Sequence, residues 1–278
     1  MNEAALAARL RAAGSVFAED EARLLLAADG DLETLVRRRL AGEPLETVVG
    51  WAEFCGLRIV VEPGVFVPRR RTELLAREAA ALVRPGSVVV DLCCGTGAIA
   101  TAVAHLAPGA EMHAADLDPR AVACARRNVE PVGGSVWLGD LFAALPGRLA
   151  GRIDVLAVNA PYVPTEAIAT MPPEARDHEA RLALDGGDDG LDVHRRVARD
   201  AAGWLAPGGT VLIETSTRQA PATAALLADA GLAATVRRDA EVDGTVAIGT
   251  LAIGTAAIGR VPMATGSDSG GRDGGGTA

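Results

Sequence analysis

The sequence predicts an α/β protein: a mainly parallel sheet covered by helices on both faces, preceded by a small N-terminal helical domain. Three observations carry that expectation. From residue 86 onward, apolar runs of strand length alternate with longer segments of helical spacing, which is the pattern of successive βα units. Residues 2–41 are rich in Ala, Leu and Arg with apolar positions at helical spacing. Residues 89–100 pass from a buried-strand pattern through Gly95 and Gly97 into a helical segment, the signature of a tight strand-to-helix turn.

Each element has a local reason. Leu6, Leu10, Leu24, Leu25, Leu32, Leu35 and Val36 form apolar stripes on two or three short helices, with Asp20 and Asp31 as helix starts. Gly42-Glu43-Pro44 breaks that pattern, residues 48–61 read as a hairpin bending at Gly50 and Gly56, and residues 72–83 return to helical spacing. Strands are expected at 87–92, 111–116, 136–138, 153–159, 210–214, 233–237 and 246–251. Helices are expected at 99–106, 119–128, 191–205 and 220–230. The resulting division is a helical domain over 1–45, a hairpin and helix over 46–85, the sheet domain over 86–260, and a Gly, Ser, Thr and Asp tail over 261–278 that is expected to be disordered.

Composition narrows the function. The 278 residues are 49% hydrophobic but only 3% aromatic, so the core must be built from Ala, Val, Leu and Ile. The net charge is −9 and every basic residue is Arg, a balance that disfavours duplex nucleic acid as partner. Cys55, Cys93, Cys94 and Cys124 lack a metal or disulfide spacing, so reduced thiols, no metal site and a cytoplasmic location are expected. There is no leader and no apolar run of transmembrane length, and a monomer is expected.

Four strand ends carry the chemistry. After Asp91, the run Cys93-Cys94-Gly95-Thr96-Gly97 lets a ligand approach the backbone, and a carboxylate at Asp91 can hold a cationic or hydroxylated group through the turn amides or a water. Alone, the same run favours ligand binding over the alternative of a plain connecting turn. Asp116 ends the next strand, where a carboxylate accepts both hydroxyls of a ribose, while Asp118 and Pro119 suffice to start the following helix. Asp140, followed by Leu141, ends the third strand, within reach of an exocyclic adenine amine. Together these three acidic ends form a nucleoside pocket.

The fourth end, Asn159-Ala160-Pro161-Tyr162, decides the reaction. The Asn159 side-chain oxygen and the Ala160 carbonyl can accept both hydrogens of a substrate NH2, and Tyr162 can stack on a planar group. An amide nitrogen is a poor nucleophile because its lone pair is delocalised, so aligning it with a sulfonium methyl is the main task of such a site, and no strong base is required.

With these motifs in order, the sequence resembles the release-factor glutamine-N5 methyltransferases and related proteins of less certain substrate. The resemblance runs from about Gly42 to Gly249 and includes Gly50-x-x-Glu53-Phe54-x-Gly56, residues 63–69, Thr72-Glu73, residues 182–192 and Leu205-x-Pro207-Gly208-Gly209. It implies the fold of a class I S-adenosylmethionine-dependent methyltransferase: a Rossmann-like seven-stranded sheet with an antiparallel last strand, after a helical domain that helps hold a protein substrate. It further implies S-adenosyl-L-methionine as cofactor, with Cys93 to Gly97 around its methionine part, Asp116 at the ribose, Asp140 and Leu141 at the adenine, and Asn159 to Tyr162 around a glutamine side chain. The sequence departs from the family's usual pattern at Cys93 (Gly), Ala160 (Pro), Arg70 and Arg71 (Pro and an acidic residue) and Leu141 (often aromatic). Cys93 suits that turn provided its backbone is not left-handed. The rival readings are a nucleic-acid base N-methyltransferase, which would need basic strand-binding surface, and a non-catalytic cofactor-binding protein.

Overall fold

The structure, a computed structural model, describes residues 2–254; the expected tail over 261–278 lies outside them. Four helices open the chain: α1 (Glu3–Ala12), α2 (Ala18–Ala27), α3 (Leu32–Leu40) and α4 (Leu45–Val49). Asn2 caps α1 and Asp31 caps α3, each side chain accepting a backbone N–H of the first turn. Asp20 does not start a helix: it sits inside the first turn of α2, where its charge suits the positive helix end. Leu6, Leu10, Leu25, Val36 and Val48 share one apolar cluster, so this layer's core reaches past residue 45 into α4.

A hairpin of β1 (Trp51–Phe54) and β2 (Leu57–Val60) follows, turning at Cys55 and Gly56, both with positive φ. Then come α5 (Glu73–Leu82), β3 (Val88–Leu92), α6 (Ala98–Leu106), β4 (Glu111–Asp116), α7 (Pro119–Val129), β5 (Ser135–Leu138), β6 (Ile153–Val158), α8 (Pro173–His178), α9 (Asp192–Trp204), β7 (Leu205–Glu214), α10 (Ala220–Asp229), β8 (Ala233–Asp239) and β9 (Gly244–Thr250). The large sheet has seven strands in the order β5-β4-β3-β6-β7-β9-β8. Only four residues separate β8 from β9, too few for the crossover that a parallel pair needs, so β9 runs antiparallel to both its neighbours.

The alternation of side chains along β3 shows how the sheet is held. Val88, Val90 and Leu92 pack with Val197, Ala198 and Ala201 of α9 on one face, while Val89 packs with α5, α6 and α7 on the other. Both faces are buried by aliphatic side chains, which is how so few aromatics suffice. Among the described residues no helix is long and apolar enough to cross a membrane.

Candidate active site

Strand order reverses at β3: β4 and β5 extend to one side of it, β6 and β7 to the other. Ligands of open α/β sheets bind outside the carboxyl ends of the strands at such a point. A cavity of about 510 Å³ opens there, lined by Cys93 to Thr96, Asp116, Asp140, Leu141 and Asn159 to Tyr162. Of the residues singled out in the sequence, Asp91 and Gly97 are not in its lining.

Asp91 shares the α6 side of β3 and is fully buried; its Oδ2 accepts the Ala100 N–H at 3.1 Å. Gly97 precedes α6 and has no side chain to cap it, so Asp91 supplies that acceptor from below. Burial pushes the Asp91 carboxyl up to about 8, its Ala100 hydrogen bond pulling the other way. Three alternate residues of the turn are left-handed: Cys93 (φ 57°), Gly95 (φ 53°) and Gly97 (φ 75°). Cys93 therefore occupies the conformation that the sequence argument had required it to avoid, at a cost that only glycine escapes. At Gly97 a Cβ would lie 2.6 Å from Val129 Cγ2, so both conformation and packing demand glycine.

Asp116 is fixed at the cavity wall by two backbone donors, Gly95 N–H to Oδ2 and Asp118 N–H to Oδ1, each at 2.9 Å. Burial raises its pKa and the two N–H bonds oppose that shift. Asp118 caps α7 through the Arg120 N–H, which leaves Asp116 free of any helix-capping duty. Asp140 pairs with Arg196 of α9 at 2.6 Å, and Leu141 beside it is left-handed at φ 48°.

At the end of β6 the Asn159 Nδ2 donates to the Thr72 hydroxyl at 3.4 Å, which turns its Oδ1 away from Thr72. The Tyr162 ring is held in place by its hydroxyl, which donates to Glu214 Oε1 and accepts from Arg71 Nε, both at 3.1 Å. Glu214, at the end of β7, is 2% exposed. Burial raises its pKa, while Thr72, Arg71 and Tyr162 lower it. One buried carboxylate thus anchors both arms of the loop from Asn159 to Tyr162, Asn159 through Thr72 and Tyr162 directly. Residues 182–192 brace the loop from behind: Gly186 N–H donates to the Val163 carbonyl, and Gln219 Nε2 bonds the carbonyls of Tyr162 and Asp189.

The far wall is built from residues 64–69 and the segment around α8. Glu179, buried and lining the cavity, accepts the Val67 N–H and pairs with Arg69, which joins the two. Arg39 of α3 bonds both Glu21 and Glu174, tying the helical layer to α8. Asn128 bonds the carbonyls of Val60 and Thr96, locking the hairpin to the turn after β3.

Sequence reasoning missed Glu214 and Glu179 as parts of the site, and singled out Arg71 only as a departure from the family's pattern that changes charge at the pocket rim. Glu214 was accessible to it, being a fourth acidic residue that ends a core strand. Arg71 and Glu179 come from distant loops whose meeting has no local signal.

A sheet of this order, with its turn, the Asp116 carboxylate and the Asn159-Ala160-Pro161-Tyr162 loop sharing one cavity, defines a class I S-adenosylmethionine-dependent methyltransferase. The donor set fits that cofactor: a close-approach turn beside a carboxylate that backbone amides hold in place. A methyltransferase from Pyrococcus furiosus shares the fold, with a TM-score of 0.55 and 18% identity over 78% of this chain and 98% of that one. The Methyltransferase small domain family matches residues 56–178.

Among curated relatives, the release factor glutamine methyltransferase of Streptomyces coelicolor is 43% identical over 66% of this chain and 67% of its own length. That of Geobacter sulfurreducens is 41% identical over 67% of this chain, and the match spans 65% of the relative. A 4-amino-L-phenylalanine/4-methylamino-L-phenylalanine methyltransferase of Streptomyces pristinaespiralis is 39% identical over 77% of this chain and 81% of its own length. The chain belongs to the release factor glutamine methyltransferase family, and its methyl donor is S-adenosylmethionine.

Proposed function

We propose that this protein N-methylates the side-chain amide of a glutamine in a protein such as a peptide-chain release factor. The observation that carries this reading is the tether from Asn159 Nδ2 to Thr72, because it leaves the Asn159 oxygen to accept from an incoming NH2. The Ala160 carbonyl takes the second hydrogen, so the amide plane is fixed and the nitrogen is presented in one direction. Cofactor contacts are assigned to the turn residues Cys93 to Thr96, to Asp116 for the ribose, and to Asp140 and Leu141 for the adenine, with Gly97 shaping the turn against α7. Asp91 contributes indirectly, by shaping the turn from beneath.

The cofactor supplies an electrophilic methyl on a sulfonium sulfur. Asn159 and the Ala160 carbonyl would hold the amide nitrogen in line with that methyl, and the methylated nitrogen would release one proton to water. The chain's own part is alignment and exclusion of water, with Glu214 holding Thr72 and Tyr162 in place.

The direct test is intact mass of the host's release factor after incubation with protein and cofactor, followed by peptide mapping. One added methyl on the glutamine of its Gly-Gly-Gln loop is expected. No added methyl, with cofactor binding confirmed, would reject the release factor as substrate.

A further inference from the structure

Arg71 is the one cation in the acceptor half of the cavity whose guanidinium is only partly used. Its Nε faces Tyr162 and Glu214, at 3.1 and 3.5 Å, and these two contacts fix the orientation of the guanidinium plane. Neither Nη group has a hydrogen-bond partner among the described residues, although the side chain lines the cavity and is 45% exposed. The other cavity arginines are occupied: Arg69 by Glu179 and Arg196 by Asp140. What remains of Arg71 is the four N–H donors of its two Nη groups, two of them parallel along the outer edge, next in sequence to the Thr72 that holds Asn159. Two parallel donors match the two oxygens of a carboxylate, whereas a single peptide carbonyl would satisfy only one of them.

We infer that Arg71 is a specificity-determining residue whose Nη edge takes a carboxylate carried by the acceptor, so that the site also methylates a free amino acid bearing an amide. The inference rests on the acceptor pocket proposed above and not on the release factor. With free glutamine, the side-chain NH2 meets Asn159 and Ala160 while the α-carboxylate meets Arg71. Bonds and electrons change as for the protein substrate: N–CH3 forms, S–CH3 breaks with its pair returning to sulfur, and the nitrogen loses one proton to water.

The experiment measures methyl transfer from S-adenosylmethionine to free L-glutamine and to L-glutaminamide, in which a neutral amide replaces the carboxylate. Wild type, Arg71→Gln and Arg71→Lys are compared, with release factor methylation measured alongside and cofactor binding used as a check of folding. Loss of a charge-assisted pair is expected to raise KM for L-glutamine about 10- to 100-fold in Arg71→Gln. KM for L-glutaminamide should rise at least about fivefold less than KM for L-glutamine, because loss of the Nε contact with Tyr162 acts on both acceptors while only the carboxylate engages the Nη edge in full. Arg71→Lys should recover part of the preference. Equal changes for both acceptors would reduce Arg71 to a brace for Tyr162 and overturn the inference. So would a wild type that methylates the release factor but not L-glutamine. Turnover of L-glutamine without release factor methylation would sustain the inference while rejecting the release factor substrate, and turnover of neither would overturn both.

Discussion

Replacing Gly97 and Gly95 separately with alanine separates two reasons for glycine in one turn. Both residues are left-handed, so each new Cβ carries a conformational penalty of roughly 1–2 kcal/mol. Reduced freedom of the unfolded chain returns about 0.4–1 kcal/mol, leaving a net loss near 1 kcal/mol. At Gly95 nothing further is added, because the nearest atoms lie 4.0 Å away, on Phe66. At Gly97 the Cβ would sit 2.6 Å from Val129 Cγ2 and 3.3 Å from Ala125 Cβ, both on α7. Forcing a methyl into a filled site costs roughly a further 1–3 kcal/mol, so Gly97→Ala should lose about 2–4 kcal/mol in all. Urea unfolding of the cofactor-free protein, with the slope checked for constancy, measures both variants. The ligand-binding result should run the other way. Gly95 lines the cavity and Gly97 does not, so calorimetric titration should find cofactor affinity reduced more in folded Gly95→Ala. Losses of stability equal to within about 0.5 kcal/mol would refute the packing argument.

Three further predictions concern the same region. Asn159→Ala should bind cofactor normally and lose transfer by at least roughly 100-fold, since it removes alignment and not the pocket; single-turnover kinetics with titrated cofactor affinity decides this. Cys93→Gly should raise the unfolding midpoint by a few degrees, because about 1 kcal/mol of left-handed strain is relieved at a partly exposed side chain; an unchanged or lower midpoint in calorimetry would contradict it. The last concerns pH. Asp91 has its folded pKa raised to about 8, so the folded state holds a proton that the unfolded state has released, and stability should fall as pH rises toward 8. His194, buried and lowered to about 4, acts oppositely below its ordinary 6.5, where acid costs stability. Between pH 6.5 and 8 the Asp91 effect stands clear of His194, and Asp91→Asn should flatten the slope of unfolding free energy there; an unaltered slope would assign it to other groups.

The regular parts of the fold were legible because each has a short-range cause. The strand runs at 111–116 and 153–159 correspond to β4 and β6 nearly residue for residue, since the inner part of a doubly covered strand is mostly apolar, as in Val155 to Val158. Asp118-Pro119 announced α7 because cap and first-turn proline act within three residues. Asp20 misled because an acidic residue suits the first turn of a helix as well as its cap, and nothing local separates the two.

The strand-end motifs were likewise legible as motifs, since their residue types lie a few positions apart, and most of them share one cavity. Four of the cofactor residues read from sequence as one turn, Cys93 to Thr96, line the cavity together. Asp91 and Gly97 belong to the same motif but face helix packing, because the pleat of β3 and the start of α6 direct them away.

Sequence by itself determined the class of fold and the spacing of the motifs, which follow from local periodicity, and the family through the resemblance of those motifs. Tertiary structure alone decided that Cys93 is left-handed, that Glu214 anchors Thr72 and Tyr162, and that Arg71 reaches the acceptor loop with an open edge. Those contacts join residues 52 to 143 positions apart, and no local spacing encodes which distant charge will meet a strand end. Only the closing of the sheet and the packing of its loops brings them within hydrogen-bond reach.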